Sequence, residues 1–481
     1  MNEMPTLTPE LQIPAEDWEQ TPTSVQGVVL ELIRQIQQIQ NEVADLKERL
    51  NSNSRNSSQP PSSDRPDQEP PKDEEDVPKK KRRRGGQPGH KGHRRQLLPV
   101  EEVDEIKVCK PSHCEECGAA LTGEDPDPYR YQQVELPPVK SHCTEYQVHA
   151  LTCTCGTVNR GELPPEVAAN MFGPNLTGLI AILMGVFRLS KRKVVALLET
   201  CYGITMSPGS VVNLQNAVSA ALAESVEEAR IEVQTQAARN IDEMGWQQRD
   251  QEKKGWLWVV VTPLVVVFTI VLSRASQVAK DLLDPESDGA VTSDRYSGYG
   301  WLKNRLWQVC WAHLLRDFQK ILERGSDSYR IGENLRIQGE YLLVMWSRVR
   351  DGTLAHEEFL RELPTIQQAV RHWLTEGTAC THSKTAGTCQ MILSVEASLW
   401  TFTTQPDVEP TNNAAERALR HPVIWRRTSY GTQSETGSRF VERILTVVGT
   451  CSQQGRNPLD FVRQAVHAHR SGQPIPSLLP R

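Results

Sequence analysis

Three acidic residues stand in contexts suited to metal-dependent chemistry on nucleic acid. Asp242 lies in Ala-Arg-Asn-Ile-Asp-Glu-Met-Gly-Trp (238–246), Asp294 in Ala-Val-Thr-Ser-Asp-Arg-Tyr-Ser-Gly-Tyr (290–299) and Glu416 in Thr-Asn-Asn-Ala-Ala-Glu-Arg-Ala-Leu-Arg (411–420). Carboxylates are hard oxygen donors, and Mg²⁺ or Mn²⁺ is held by one or two of them together with water and substrate phosphate. Two such ions ~3.5 to 4 Å apart can serve the attacking and leaving oxygens of a phosphodiester. The expected division has Asp242 bridging the two ions, Asp294 binding one and Glu416 the other. Any one of these acids alone is more simply a turn cap or an ion-pair partner. The set carries the reading.

Residues so far apart must be assembled by a fold, and the sequence supplies the elements. Ala238 to Glu243, Trp256 to Thr262 and Val265 to Leu272 read as three consecutive strands from their β-branched and aromatic content. Ser276 to Leu283 reads as a helix, Gly289 to Ser293 as a fourth strand and Leu306 to Trp311 as a fifth. A meander followed by helix and strand is the order of a ribonuclease-H-like α/β fold, in which the strands carrying Asp242 and Asp294 lie side by side. Glu416 comes from a later helix. The 121 residues between Asp294 and Glu416 exceed a connection, and Leu335, Leu342, Val344, Trp346, Leu360, Leu363, Val370 and Trp373 suggest an inserted helical domain. Asn412 and Asn413 read as an N-terminal cap that aims Glu416. Arg417, Arg420, His421, Arg426 and Arg427 follow, and Arg417 and Arg420 are the expected DNA contacts, a solvated helix face being the alternative.

Ahead of this body the chain changes character several times. Val25, Val29, Leu32, Ile36, Ile39, Val43, Leu46 and Leu50 step by three and four, a heptad seam that predicts a coiled-coil helix over 22–50 and self-association. Residues 51–78, rich in Ser, Asn, Pro and acid, read as a disordered tether. The basic arm over 79–98 carries Lys79, Lys80, Lys81, Arg82, Arg83, Arg84, Lys91, Arg94 and Arg95, with no acid between Lys79 and Arg95. Such an arm would hold DNA phosphate in a salt-dependent way with little sequence preference.

Cys114-x-x-Cys117-Gly118 and Cys153-x-Cys155-Gly156 have the spacing of a zinc ribbon over 105–162, each turn offering two thiolates to a structural Zn²⁺. Cys109, His113 and Cys143 are nearby spares. Tyr129 to Val134 and Tyr146 to Thr152 are its expected strands. Residues 170–235 read as helical: Leu176, Leu179, Ile180, Leu183 and Phe187 share one face, and a basic-fronted helix over Arg188 to Glu199 precedes a Gly-containing turn and a new start at Ser207-Pro208. This is a helix-turn-helix-like DNA-binding candidate, with an ordinary helical hairpin as its alternative. The catalytic domain is then expected over 236–317 and 406–470, interrupted by the insertion at 318–405.

At 481 residues the chain has room for two or three domains, and its formal net charge of -6 averages the acidic spacer around Asp64 to Asp76 against the basic arm. Eleven cysteines without a signal pattern, four of them in metal-like spacing, point to a reduced, cytoplasmic and nucleoid-associated setting. The longest apolar stretch, Leu257 to Leu272, is 16 residues broken by Thr262 and Pro263. That falls short of the ~18 that would suggest a membrane span.

Several longer segments recur together: Asn-Ser-x-Asn-Ser-Ser-x-Pro-Pro-Ser-Ser-Asp (53–64), Arg-Gly-Gly-Gln-Pro-Gly-His-Lys-Gly-His (84–93), the paired Cys turns, Asp242-Glu-x-Gly-Trp, Ser293-Asp-Arg-Tyr, Cys310-Trp-Ala-His-Leu, Asn412-Asn-Ala-Ala-Glu-Arg-Ala-Leu-Arg and Gln453-Gln-Gly-Arg-Asn. Through them nearly the whole chain resembles transposases of the insertion sequence 66 family. The resemblance implies a DDE-type recombinase that cleaves at the ends of a mobile element and joins the 3′-hydroxyl to target DNA, with Asp242, Asp294 and Glu416 as its acids. It also implies small accessory proteins encoded beside it. Met244 stands where the family commonly has Thr. Two other readings fit the same segments: a zinc-containing DNA-binding protein derived from a transposase but without chemistry, and a ribonuclease-H-like nuclease without strand transfer.

Overall fold

The structure is a computed structural model and describes residues 96–164, 171–304 and 306–480, with residue 167 and, near the N-terminus, residues 18, 20–32, 34–36 and 39. The basic-arm residues Lys79, Lys80, Lys81, Arg82, Arg83, Arg84, Lys91, Arg94 and Arg95, the tether at 51–78 and the heptad positions Val43, Leu46 and Leu50 lie outside the described residues. The described residues fall into two compact units, one of 96–142 and one of the remainder.

The smaller unit is held by local bonds rather than a core. The backbone N–H of Leu98 donates to Gln132 Oε1 at 2.8 Å, and its carbonyl accepts from Arg130 Nη2 at 2.7 Å. No strand forms over Tyr129 to Val134, where Tyr129 is 90% and Tyr131 81% exposed. Aromatic β-propensity expresses itself only on a surface that is half buried, and here there is none.

The larger unit opens with β1 (Ala150–Thr152) antiparallel to β2 (Val158–Arg160). Helices α1 (Pro174–Gly185), α2 (Lys191–Tyr202), α3 (Pro208–Ala221) and α4 (Ala223–Thr235) follow. Phe187 falls beyond the end of α1 and is exposed, leaving Ile180 and Leu183 to the core. Ser190 caps α2, Gly203 ends it at φ +64, and Ser207 Oγ accepts the Ser210 N–H at 3.0 Å to start α3. The helix-turn-helix spacing is therefore real, yet the exposed side of α3 offers Asn213 and Asn216 and no cation.

The chain then builds its sheet: β3 (Ala238–Trp246), β4 (Gly255–Val261), β5 (Val266–Val271), α5 (Ser276–Leu283), β6 (Ala290–Ser293) and β7 (Trp307–Val309). Strand order is β5-β4-β3-β6-β7, with β3, β4 and β5 an antiparallel meander and β6 and β7 parallel to β3. Thr262 turns the chain between β4 and β5 by bonding its own N–H to Val265 O at 2.9 Å and accepting the Val265 N–H at 3.0 Å. The insertion contains α6 (Trp311–Glu323), α7 (Ser326–Arg350), α8 (His356–Thr378) and α9 (Ser383–Leu393). Leu335, Leu342, Leu363 and Val370 are buried there, whereas Val344 and Leu360 face solvent. The chain returns through α10 (Asn413–Ser429), α11 (Glu435–Gln453) and α12 (Pro458–Ser471). Among the described residues no helix is long and apolar enough to cross a membrane.

The exposed edge of β5 is closed by side chains of α11. Val266 N–H donates to Thr450 Oγ1 and Phe268 N–H to Thr446 Oγ1, each at 3.0 Å, and Ile270 N–H donates to Glu442 Oε1. The match is geometric: four residues of helix rise ~6 Å and two residues of strand ~6.6 Å, so every fourth helical side chain meets every second strand N–H. A helix thus takes the place of a sixth strand and removes an edge open to other chains.

Glu442 carries the charge in this ladder. Its side chain is 2% exposed, and burial raises its carboxyl to about 7 against the pull of Arg439, whose Nη1 is 2.9 Å away. A carboxyl whose folded value exceeds its ordinary 4.5 stabilises the fold below that ordinary value and loses the contribution as pH rises through about 7. Glu442→Gln keeps an acceptor for Ile270 and does not titrate. From about pH 5 to about pH 8, wild type should lose on the order of 3 kcal/mol relative to Glu442→Gln. Denaturant unfolding across that range measures it, and a pH-independent difference between the two proteins would refute it.

Candidate active site

Asp242 sits midway along β3, and Asp294 directly follows β6. In the parallel register Asn240 pairs with Thr292, so each acid follows two residues after a paired position, Asp242 within β3 and Asp294 just past β6. Burial, then the charges of Glu243, Asp294 and Glu416, push the Asp242 carboxyl well above its ordinary range. Only its neighbour's backbone N–H, 2.8 Å from Oδ1, opposes them. Burial also raises Asp294, whose Oδ1 accepts the Tyr296 N–H at 2.9 Å in a turn that fixes its direction. All three acids are therefore brought into one electrostatic neighbourhood. Two buried carboxylates, Asp242 and Asp294, whose ionisation desolvation disfavours, fit a divalent cation whose charge would relieve that cost.

Glu416 is aimed from a distance by Asn412. This residue is fully buried at the N-cap of α10, and its side chain does not cap the helix as the sequence led one to expect. Its Nδ2 donates to Ile241 O at 2.8 Å, its Oδ1 accepts from Asn240 Nδ2 at 3.1 Å, and its backbone N–H reaches Cys310 Sγ at 3.1 Å. The start of α10 is thereby stitched to β3 beside Asp242 and to the residue that ends β7. The Glu416 N–H closes the first turn onto Asn412 O at 3.1 Å. Asn413 is exposed.

Around Glu416, His313 Nδ1 lies 3.6 Å and Arg316 Nη2 3.5 Å from Oε1. Burial and then the nearby Arg316 hold the His313 imidazole neutral, lowered to about 3, and burial pushes the Cys310 thiol up to about 11. A profile of the Transposase IS66 family matches residues 169–439, more than half of the chain, and that stretch holds all three acids. The chain belongs to the Transposase IS66 family.

Residues 6–96 of this IS66-family chain match a family of unknown function (DUF6444). An uncharacterized protein of Sinorhizobium fredii, y4qI, is 27% identical over 253 residues, which cover 47% of this chain and 46% of that protein. The chain thus spans about half the length of the curated relative it matches.

Other sequence candidates separate in the IS66-family structure. Arg417 and Arg420 are exposed on α10. Arg426 instead donates from Nη1 to Gly245 O at 2.8 Å, and His421 Nε2 meets Gly185 O at 3.0 Å, so both serve packing. Cys114 and Cys117 lie on one turn, closed by Gly118 N–H to Cys114 O at 3.0 Å with Gly118 at φ +71. Cys153 and Cys155 lie on another, closed by Gly156 N–H to Cys153 O at 2.8 Å with Gly156 at φ +87. Backbone N–H groups lower the Cys114 thiol, and the Thr157 hydroxyl, 3.3 Å from its sulfur, lowers Cys155 to about 7. One thiol in each turn, Cys114 and Cys155, is thus lowered.

Sequence reasoning missed the support behind the acids. Glu243, its side chain 2% exposed, accepts Arg274 Nε and Nη2 at 2.8 and 2.6 Å and the Tyr299 hydroxyl at 2.5 Å. The Arg274 guanidinium lies 3.7 Å over the Tyr296 ring and 4.6 Å over that of Trp256. Arg295 pairs with Asp317 on α6. The only available signal was adjacency in Asp242-Glu243 and Asp294-Arg295.

Removing the Asn412 amide leaves Ile241 O and Asn240 without their partners in a buried place, at roughly 1 to 3 kcal/mol for each unsatisfied group. Asn412→Ala should lower the unfolding free energy by that order and reduce Mg²⁺-dependent DNA cleavage more than DNA binding. Chemical denaturation with parallel cleavage and binding assays checks it; full cleavage activity at unchanged stability would be the contrary result.

Proposed function

We propose that this chain is a DDE-type transposase whose ribonuclease-H-like domain holds Asp242, Asp294 and Glu416 as its metal-binding acids. The observation that supports the reading is the parallel pairing of β3 with β6 two residues before Asp242 and Asp294, with the charges of Asp294 and Glu416 both felt at the Asp242 carboxyl. A meander extended by two parallel strands supports the fold assignment. Two Mg²⁺ or Mn²⁺ ions held by these residues, Asp242 shared between them, would supply Lewis-acid stabilisation of the attacking and leaving oxygens.

The chain's own residues supply position. The Asn412 stitch keeps Glu416 against β3, and the Glu243, Arg274 and Tyr299 cluster braces the strand from its other side. Exposed Arg417 and Arg420 grip phosphates beside the scissile bond, and the basic arm holds DNA further out. Water attacks a phosphodiester at the element end and frees a 3′-hydroxyl, and that hydroxyl then attacks target DNA in the same site. Both are in-line displacements that need no protein-linked intermediate.

The described heptad residues Val25, Leu32, Ile36 and Ile39 are 47 to 57% exposed within one chain, which supports self-association through the N-terminal helix. A structural Zn²⁺ on Cys114, Cys117, Cys153 and Cys155 rests on their spacing and on the lowered thiols of Cys114 and Cys155. Small accessory proteins and a cytoplasmic, nucleoid-associated setting belong to the same reading.

Asp242→Ala, Asp294→Ala and Glu416→Ala should each abolish Mg²⁺-dependent cleavage of element-end DNA, by at least about a hundredfold, while leaving end binding in a gel-shift assay intact. Normal cleavage by any one of them removes that residue from the site. Cleaved ends that never appear joined to target DNA would point to a nuclease instead.

A further inference from the structure

We propose that Cys310, His313 and Glu416 form a second, softer metal site that takes Zn²⁺ through one sulfur, one nitrogen and one oxygen. One ligand atom from each lies within 4.8 Å of the others. Tetrahedral zinc, with bonds of ~2.0 to 2.3 Å, sets its ligand atoms ~3.3 to 3.7 Å apart, so closure asks for movement of about an ångström. Cys310 at the N-cap and His313 three residues on share the first turn of α6, which turns both side chains to one side.

Each ligand is prepared in its own way. His313 Nδ1 is shut off from solvent and has no hydrogen-bond partner among the described residues. Buried nitrogens of this kind are rare and costly, and a metal would satisfy it. Cys310 Sγ already accepts the Asn412 N–H at 3.1 Å, a contact that a metal-bound sulfur would keep. Glu416, about one-third exposed, gives access from solvent. Thiolate and carboxylate together neutralise the ion, and a fourth position stays open. Sulfur and imidazole select zinc over magnesium, whereas Asp242 and Asp294 offer oxygen alone. One group opposes entry: Arg316, 3.5 Å from the same Glu416 oxygen, must swing outward.

The consequence rests on the transposase reading. A Glu416 committed to zinc on α6 is withdrawn from Asp242, so zinc would act as a reversible brake on Mg²⁺-dependent cleavage.

The test begins with binding. Full-length protein carrying Cys114→Ser, Cys117→Ser, Cys153→Ser and Cys155→Ser, so that the paired turns no longer report, is titrated with Co²⁺. A thiolate-to-cobalt charge-transfer band should grow in and should vanish on adding Cys310→Ser or His313→Gln, while Arg316→Gln should tighten binding. Cys310→Ser retains an acceptor for the Asn412 N–H, and unchanged circular dichroism shows that loss of the band is not loss of fold. Elemental analysis of chains with all native paired cysteines gives a second measure: Cys310→Ser should hold one zinc fewer than wild type. A band that survives Cys310→Ser, or equal zinc in the two chains, overturns the site. For the brake, zinc should inhibit wild-type cleavage and spare His313→Gln, each relative to its own Mg²⁺ rate; binding without inhibition strikes out the brake. The metal count needs no catalysis, so a chain that never cleaves would overturn the transposase reading and leave the site standing.

Discussion

Asp242 is a carboxylate held where its own charge is disfavoured, and the rest of the larger unit is arranged around that cost. Desolvation and three neighbouring acids all raise it, and only one backbone N–H acts the other way. A loose scaffold would relax by turning the side chain to water. This one is fixed on both sides: β4 pairs with β3 from Asn240 to Trp246, and β6 pairs from Ala238 to Asn240. Beneath them lie Ile241, Leu257, Val259 and Phe268, each 3% exposed or less. Strain of this electrostatic kind persists only where the surroundings over-determine the geometry, and a bound cation is what would convert it into affinity.

The same constraint explains why the third acid needs an anchor. Glu416 lies 174 positions beyond Asp242 in sequence and arrives on a helix after a long insertion. A helix start left to its own cap could shift by an ångström without penalty, enough to spoil a metal site. Asn412 prevents this by giving its side chain to β3 and its backbone N–H to Cys310, while Trp311 N–H binds Pro410 O at 2.9 Å. Both ends of the insertion are thus tied where they leave and re-enter the sheet. The insertion can therefore vary in its own packing without moving the acids.

Much of this was legible in sequence, for a physical reason. Strands buried on both faces, such as Trp256 to Val261 and Val266 to Val271, are nearly continuous runs of β-branched, aromatic and other apolar residues, and the Thr262-Pro263 break between them admits only a turn. The three acids stand out because each carries its own local signature, Asp242 midway along β3, Asp294 just past β6 and Glu416 in the first turn of α10. What was illegible depends on pairing across space. Asn412 reads as a cap because Asn at a helix start usually caps; nothing local reveals that Ile241 O is nearer. Arg426 and His421 follow Glu416 on the same basic helix as Arg417 and Arg420, yet carbonyls of Gly245 and Gly185 claim them. Tyr129 and Tyr131 read as strand residues because their propensity is high, although no layer covers them.

On the proposed reading an anionic site would receive an anionic polymer, and the distribution of arginines bears on how. Arg417 and Arg420 stand one and four positions after Glu416, so all three share one turn of α10, and both arginines are exposed. Arg316 approaches the same carboxylate from α6. Phosphate arriving there meets guanidinium before carboxylate, and planar guanidinium can bind two phosphate oxygens at once and fix the strand's direction. The inward arginines do the opposite work: Arg239 is buried and gives its N–H groups to the carbonyls of Leu283 and Gly289, locking the loop before β6. Charge at the surface is left open to solvent, and charge within the fold holds the loop before β6. The two uses are separated by burial alone, which is why the residue type could not distinguish them.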